Sequence, residues 1–371
     1  MEFTVSKADL VRELSLSQGV VEKKTTIPIL SNVLLETAGD RVVLTATDLE
    51  LGIRCEFPAR VKKEGSGTIP ARRLLDYVRL LPDADVNVKF LENHWASLTC
   101  GRSKTRMAGM SRESFPELPQ MPESIAEVPV KLLASMITRT GFAISTEETR
   151  FTLNGALLLL KPGEIVMVAT DGHRLAFVQA HPESMQEMTK TFRALVPKKG
   201  MTEILKLADQ SGDEDKAVVA GSENHLFFRI GQRLLITRKL TGNFPDFERV
   251  LPKESPHEVK INREEIRSAI ERVAQFADER SRSIRVQFAA GEVRVFSSSA
   301  ETGESEESVP CEYSGPELEI GFNAHYLLDF LRAITQDQIT FQLKDQKSAG
   351  EMRPAGEGAE QYRYVVMPMR I

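Results

Sequence analysis

The chain has 371 residues, 41% hydrophobic and 27% charged, with a formal net charge of −5. That length allows two or three domains with a sizeable core, and the composition excludes a disordered or collagen-like chain. The acidic balance excludes a protein whose whole surface is a basic nucleic-acid glove, and no apolar run reaches the roughly 18 residues of a membrane span.

Cys55, Cys100 and Cys311 are odd in number and far apart, which fits reduced thiols in the cytosol. The opening MEFTVSKADL has no basic or apolar signal-peptide region, so a cytoplasmic location is expected.

In chain order, FTVSKADLVREL from Phe3 reads as a short strand running into an amphipathic helix, with Ser6 at the N-cap. LTATDLEL, residues 44 to 51, is an apolar run ending in an Ala-Thr-Asp turn. IPARRLLDYVRLL from Ile69 predicts a helix, with Leu74, Leu75 and Val78 at helical spacing and Pro70 near its first turn. VNVKFL at 86 alternates as a strand, and PELPQMPES, residues 116 to 124, reads as a linker.

The same order then recurs. VPVKLLASMI from Val128 is again strand into helix, and IVMVAT from Ile165 leads into Asp171-Gly172-His173-Arg174. Thr170 lies 123 residues after Thr47. VPKKGMTEILKLA from Val196 predicts a helix with Met201, Ile204 and Leu205 inward, and HLFFRI at 225 a strand. A linker follows at LPKESPHE, residues 251 to 258.

A third pass opens with VKINREEIRSAI from Val259, with Asn262 at the N-cap and Glu265 in a loose capping box. VRVFSS at 293 is a strand, and FNAHYLLDFLRAI from Phe322 a helix burying Leu327, Leu328 and Leu331. Ile69 to Val196 is 127 residues and Val196 to Phe322 is 126, so the spacing supports a threefold repeat. The expected class is α+β: three similar domains at 1–122, 126–250 and 256–371, each with two helices packed on antiparallel sheet.

With these units in place, the chain resembles the bacterial sliding clamps, the β subunits of the replicative DNA polymerase III, over its whole length. FTV at 3, IPILSNVLL at 27, TATDLE at 45 and LNG at 153 carry the resemblance, with ATDGHRLA at 169, FPDFERVLP at 244, EIGFN at 319 and the terminal YVVMPMRI. It implies a head-to-tail dimer whose six domains form a ring, helices lining the hole and sheets outside. The implied role is a processivity factor without catalysis or cofactor that encircles duplex DNA without reading its sequence. Implied partners are a second copy, the clamp loader, the replicative polymerase, and other polymerases and repair proteins with a clamp-binding motif; no membrane is implied. Twelve lining helices about 10 Å apart would leave a bore of roughly 28 Å, wide enough for a duplex.

Charge agrees with a lining role for two helices. Arg72, Arg73 and Arg79 stand against Asp76, and Lys198, Lys199 and Lys206 against Glu203, each a net +2. The third helix, with Arg332 against Asp329, is neutral. The resemblance implies DNA contacts at Lys24, Arg72, Phe151 and Thr152, with Lys198 and Lys199 added from the basic helix; such phosphate contacts position without specifying.

The resemblance also implies a groove between the second and third domains that takes a short linear motif from partners. Its matching residues are Leu153, Thr170, Gly172, His173, Arg174, Leu175, Pro245, Arg249, Val250, Val365, Met367, Pro368 and Met369. Leucines, valines and methionines would make an adaptable floor, and arginines a polar rim.

At the ring joint, Arg73, Arg102, Lys104 and Arg106 gather in the first unit and Glu301, Glu304, Glu306 and Glu307 in the third. Opposite charge at opposite ends suits head-to-tail closure. The family's apolar joint residues match Gln275 and Phe276. The Gly-rich stretch 344 to 361 reads as a loop with no assigned role.

Two rivals stand beside the clamp: an enzyme using Asp171 and His173, and a peptide-binding scaffold that forms no ring. The enzyme lacks a G-x-S-x-G nucleophile, the histidines show no metal spacing, and no phosphate loop is present.

Overall fold

Strand running straight into helix is the local unit of this fold. The computed structural model describes residues 1–22, 26–147, 149–301, 303–356, 358 and 360–370. Its α-helices are α1 (Lys7–Ser17), α2 (Ala71–Leu80), α3 (Val130–Thr140), α4 (Lys198–Ala208), α5 (Arg263–Val273) and α6 (Ala324–Ala333).

The helix starts follow their capping chemistry. Ser6 Oγ accepts from the Asp9 amide at 3.1 Å, and Asn262 Oδ1 from the Glu264 and Glu265 amides at 3.0 Å each. Asn323 caps α6 in the same way, accepting from the His325 amide at 3.0 Å. Pro70 and Pro197 take the cap positions of α2 and α4, where a missing N–H costs nothing. Leu74, Leu75 and Val78 are buried, as are Met201, Ile204, Leu327, Leu328 and Leu331. Leu205 is only half-buried, and Leu207 takes the inward place on α4.

The chain divides into two compact units, and the division passes through the middle repeat. One unit holds Met1–Ala134 with Val196–Lys239, the other Ser135–Leu195 with Leu240–Ile371.

In the first unit, five strands run in the order Arg60–Lys63, Glu2–Ser6, Asp85–Phe90, Trp95–Cys100, Ser103–Ala108. Eight more run Ser124–Pro129, Lys216–Gly221, His225–Ile230, Arg233–Arg238, Leu51–Pro58, Arg41–Thr47, Asn32–Ala38, Ser66–Pro70. The middle of this sheet is a seam between repeats: Leu51–Pro58 of the first pairs antiparallel with Arg233–Arg238 of the second, Leu51 opposite Thr237 and Cys55 opposite Arg233. The helices reinforce the seam. Glu13 of α1 receives both Nε and Nη2 of Arg233, at 2.9 and 2.8 Å. Gly19, just past α1, lies so close to α4 that a Cβ there would meet the Glu203 carboxylate at 2.2 Å.

The second unit carries a twelve-stranded sheet. Its order is Phe192–Pro197, Gly155–Lys161, Glu164–Thr170, Arg174–Ala180, Glu360–Val366, Gly350–Pro354, Gln338–Leu343, His257–Asn262, Gly303–Glu312, Glu292–Ser299, Ser283–Ala289, Leu318–Asn323. Here Arg174–Ala180 of the second repeat pairs with Glu360–Val366 of the third, the same seam one repeat later. The stretch 344 to 361, expected as a loop, contains the strand Gly350–Pro354, and Met352 is buried there. No described helix is long and apolar enough to cross a membrane.

Candidate binding groove

Two turns in the chain are built alike, and one of them opens onto a cavity. Thr170 Oγ1 accepts from the Gly172 amide at 3.1 Å and donates to the Arg174 carbonyl at 2.6 Å. Asp171 Oδ1 accepts from the amides of His173 and Arg174, at 2.9 and 3.1 Å. Thr47 and Asp48 make the same bonds to Leu49, Leu51 and Glu50. Both turns need a left-handed residue: Gly172 has φ +90°, and Leu49 stands at the matching place with φ +77°.

The strand leaving the second turn sets Leu175 opposite Val365 and Arg174 opposite Val366. Beside it lies a cavity of about 170 Å³ lined by Leu153, Thr170, Gly172, Arg174, Leu175, Pro245, Phe247, Val250, Val365 and Met367. Its floor belongs to a buried apolar cluster that includes Leu157, Val168, Leu175, Phe177, Phe244 and Val365. Pro245, Phe247 and Val250 come from the segment that follows the second repeat's last strand, Arg233–Arg238, and leads to the third repeat. The Phe247 ring sits 5.9 Å from that of Phe177.

Arg174 lines the cavity as expected, but as an anchored wall residue rather than a free polar rim. Its guanidinium is buried, with Nε 3.0 Å from Asp171 Oδ2, Nη1 2.6 Å from Asp329 Oδ2 of α6, and Nη2 donating to the Phe142 carbonyl at 2.6 Å. The Tyr326 ring lies 4.3 Å below it. Burial works against this charge, and Tyr364, Asp329 and Asp171 outweigh burial, so the group is held protonated more firmly than usual. Burial likewise lifts the phenols of Tyr326 and Tyr364 above their ordinary values.

Nine expected wall residues meet at the cavity, and four, His173, Arg249, Pro368 and Met369, are absent from its lining. His173 is exposed and its ring stacks 6.5 Å from Tyr326. Arg249 is exposed and pairs with Asp246 at 2.8 Å. The tail passes the cavity by its backbone: the Met367 amide donates to the His173 carbonyl at 2.9 Å and the Met369 amide to Gly321 at 2.8 Å. Phe247 was missed, although a second aromatic three residues after Phe244 was its signal. Asp171 closes the turn and pairs with Arg174.

The other expected contacts are spread over the surface. Arg72 and Arg73 line a concavity of about 710 Å³ with Ser15, Gln18, Asp76 and Arg79. Lys198 is exposed, whereas Lys199 is ion-paired with Asp48 and Lys206 with Glu203, so α4 offers less free charge than its sequence suggests. Phe151 is 70% exposed and Thr152 half-buried. Lys24 lies outside the described residues.

Arg102, Lys104 and Arg106 are exposed on or beside the edge strand Ser103–Ala108, and Glu301, Glu304, Glu306 and Gln275 are exposed as well. Phe276 is half-buried. Glu307 is held by Arg272 of its own chain at 2.7 and 2.9 Å. Leu80, which the sequence reading passed over, is 86% exposed at the end of α2. Among the described residues no group of three or more His, Cys, Asp or Glu side chains could hold a metal.

Models of the DNA polymerase III beta subunit match in three pieces: its N-terminal domain over residues 1–119, its central domain over 127–246 and its C-terminal domain over 248–370. The beta sliding clamps of Chlamydia pneumoniae and Pseudomonas putida are 34% and 35% identical, each over 100% of this chain and 99% and 100% of their own lengths. A Pseudomonas aeruginosa DnaN sliding clamp crystallised with griselimycin superposes with a TM-score of 0.94 at 34% identity, all of both chains being covered. The Bacillus subtilis clamp gives 0.94 at 27% identity, over 100% of this chain and 99% of that one.

Three repeats, each with two helices on antiparallel sheet and joined strand to strand, define a three-domain clamp of the α+β class. This chain belongs to the DNA polymerase III β subunit family, the bacterial β sliding clamps, which are non-catalytic processivity factors of that polymerase.

Proposed function

We propose that two copies close head to tail into a ring of six domains, bounded in each chain near 1–122, 126–250 and 256–371, and that the ring encloses duplex DNA. The repeat rule of strand pairing carries this reading. The strand after the first Thr-Asp turn pairs with the last strand of the second repeat, and the strand after the second turn with the last strand of the third. Applied once more, the rule asks the strand Gly303–Glu312 to meet the last strand of a first repeat, Ser103–Ala108.

Both partners have an edge to offer. Ser103–Ala108 ends its sheet, and residues 303 to 310 pair on one side only among the described strands. Charge is complementary, Lys104 and Arg106 against Glu304 and Glu306, with Arg102 flanking. The third turn is also alike: Ser299 Oγ accepts from the Glu301 amide at 3.3 Å. Asp48 of the first turn pairs with Lys199 near the start of α4; the third turn has Ala300 at that place, and its neighbour Glu301 would carry the charge toward Arg72 or Arg73 near the start of α2 in a second copy. Exposed Leu80 with Phe276 would supply the apolar part of the joint, and the polar Gln275 beside them leaves more of it to charge.

In this reading Arg72, Lys198, Phe151 and Thr152 touch DNA, with Lys24 and a partly neutralised Lys199 beside them. Leu153, Thr170, Gly172, Arg174, Leu175, Pro245, Phe247, Val250, Val365 and Met367 hold a side chain of a partner's motif, while His173, Arg249, Pro368 and Met369 flank it. The polymerase, the clamp loader and repair proteins compete for that groove in the bacterial cytoplasm.

The test is retention. Protein loaded by an ATP-driven clamp loader on nicked circular DNA is expected to stay for many minutes and to leave within seconds once the circle is cut. Equal lifetimes on circular and open-ended linear DNA would mean that contact, not topology, holds it.

A further inference from the structure

The groove wall formed by the inter-repeat segment is tied down from beneath by a buried ionic latch. Glu351 is fully buried. It receives Nε and Nη2 of Arg363 at 2.7 Å each, and Nε of Arg353. A buried carboxylate is tolerated only when so satisfied. Arg363 has donors to spare, and Nη2 also reaches the Pro252 carbonyl at 2.8 Å.

That carbonyl ends the segment whose Pro245, Phe247 and Val250 line the cavity. Phe244 anchors the segment's other end in the core, and the Val250 and Leu251 amides fold it into one turn on the Phe247 carbonyl, at 3.0 and 3.3 Å. Along the sheet, Arg363 is directly opposite Phe177, on which Phe247 rests, and Glu351 is opposite Val365 of the cavity lining.

We propose that Arg363, oriented by Glu351, is a positioning residue for the groove. It touches no bound peptide and fixes, through Pro252, the distance between the Phe247–Val250 wall and the Leu175–Val365 floor at the width of one aliphatic side chain. This rests on the groove reading above.

The test measures binding of a labelled short peptide, led by glutamine and ending in leucine and phenylalanine, to the full-length protein, beside its melting temperature. Arg363→Met alone leaves Glu351 with one partner, so both melting and affinity are expected to fall. The double variant Glu351→Leu/Arg363→Met removes the two most buried charges together, a change that proteins often tolerate, and leaves Arg353, one-third exposed, to turn to water. It is expected to melt near wild type and still bind roughly tenfold more weakly, mainly through faster dissociation, because the charge-assisted bond to Pro252 is gone. Arg363→Lys is expected to recover part of the affinity. A double variant with wild-type melting and wild-type affinity would overturn the positioning role. A Val365→Glu control separates the two layers: if a charge in the cavity left binding unchanged, the groove reading would fail and this proposal with it.

Discussion

Thr47 and Thr170, 123 residues apart, hold their turns with the same pair of hydrogen bonds, one accepted two residues ahead and one donated four ahead. Both hydroxyls are buried in turns from which an inter-repeat strand departs. The two sites differ in what lies beyond: Thr170 lines the cavity, and the first turn carries Leu49 where the second has Gly172.

Thr47→Val and Thr170→Val should therefore cost similar stability and differ in binding. Each strands a turn amide and a carbonyl, worth about 1–3 kcal/mol together. Urea unfolding is expected to show that loss in both variants, while peptide affinity falls only for Thr170→Val. Equal losses of affinity would point to a general loosening instead.

Leu49 makes a companion prediction. A leucine in the left-handed region is strained by roughly 1–2 kcal/mol, partly offset by the lower entropy of its unfolded chain. With the side chain 52% exposed, little burial is lost on removing it. Leu49→Gly is expected to raise unfolding stability by a few tenths to about 1 kcal/mol. A lower midpoint would show that the leucine packs where the turn needs it.

The repeat itself was legible because helix starts recur at 126 to 127 residues and several carry local chemistry: Ser6 and Asn262 cap their helices, and Pro70 and Pro197 stand at the cap positions of theirs. Apolar spacing then named most of the inward faces. The seams were not legible. Nothing in LGIRCEFP or RLLITR says that those strands meet across some 180 residues, because register between distant strands depends on the whole sheet. The anchoring of Arg174 was hidden for a related reason. Its role is set by Asp329 and Phe142, which only the fold brings to it. Phe247 was hidden in a stretch taken as framing the groove by its proline, arginine and valine.

The Glu13–Arg233 pair gives a pH-dependent prediction. Burial pushes the Glu13 carboxyl up, and hydrogen bonds from Arg233 and Arg12 outweigh it, so the group lies below its ordinary value of 4.5. A lowered folded pKa contributes stability above the unfolded value and loses it as pH falls through the folded one. Arg233→Gln should thus destabilise by about 2–4 kcal/mol at neutral pH, by leaving a buried carboxylate with Arg12 alone. The gap from wild type should narrow below pH 4.5 in acid-dependent urea melts. A gap that stays constant down to pH 3 would assign the loss to packing.

The tail tests whether residues after Val366 are wall or scaffold. Met367 is 46% exposed, and its segment is fixed by two backbone bonds, to His173 and Gly321. Removing Met367–Ile371 is expected to lower peptide affinity by tenfold or more while costing only about 1–2 kcal/mol of stability, two backbone bonds and little apolar area. Calorimetry and peptide titration on the same sample decide it. Unfolding of the twelve-stranded sheet on truncation would make the tail a structural strand.

The joint is where charge and apolar contact can be told apart. Lys104 and Arg106 on one edge strand and Glu304 and Glu306 on the other are all exposed, so their attraction is screened within about 8 Å at physiological salt. Exposed pairs are individually weak, typically 0.2–1 kcal/mol, and several must act together to matter. In the proposed joint, reversing Glu301 and Glu304 to lysine would set like charges against Arg72, Arg73, Lys104 and Arg106. The dimer dissociation constant is expected to rise by roughly tenfold or more at low salt. Raising the salt should weaken the wild-type dimer and narrow its gap from the variant, because screening removes attraction from one and repulsion from the other. Leu80→Asp should act differently, weakening the dimer at every salt concentration, since it disrupts apolar packing rather than a screened field. Sedimentation equilibrium across salt separates the three. A wild-type dimer indifferent to salt and to both glutamate reversals, yet lost with Leu80→Asp, would place the joint's strength in Leu80 and Phe276 and reduce the charged strands to guides for approach.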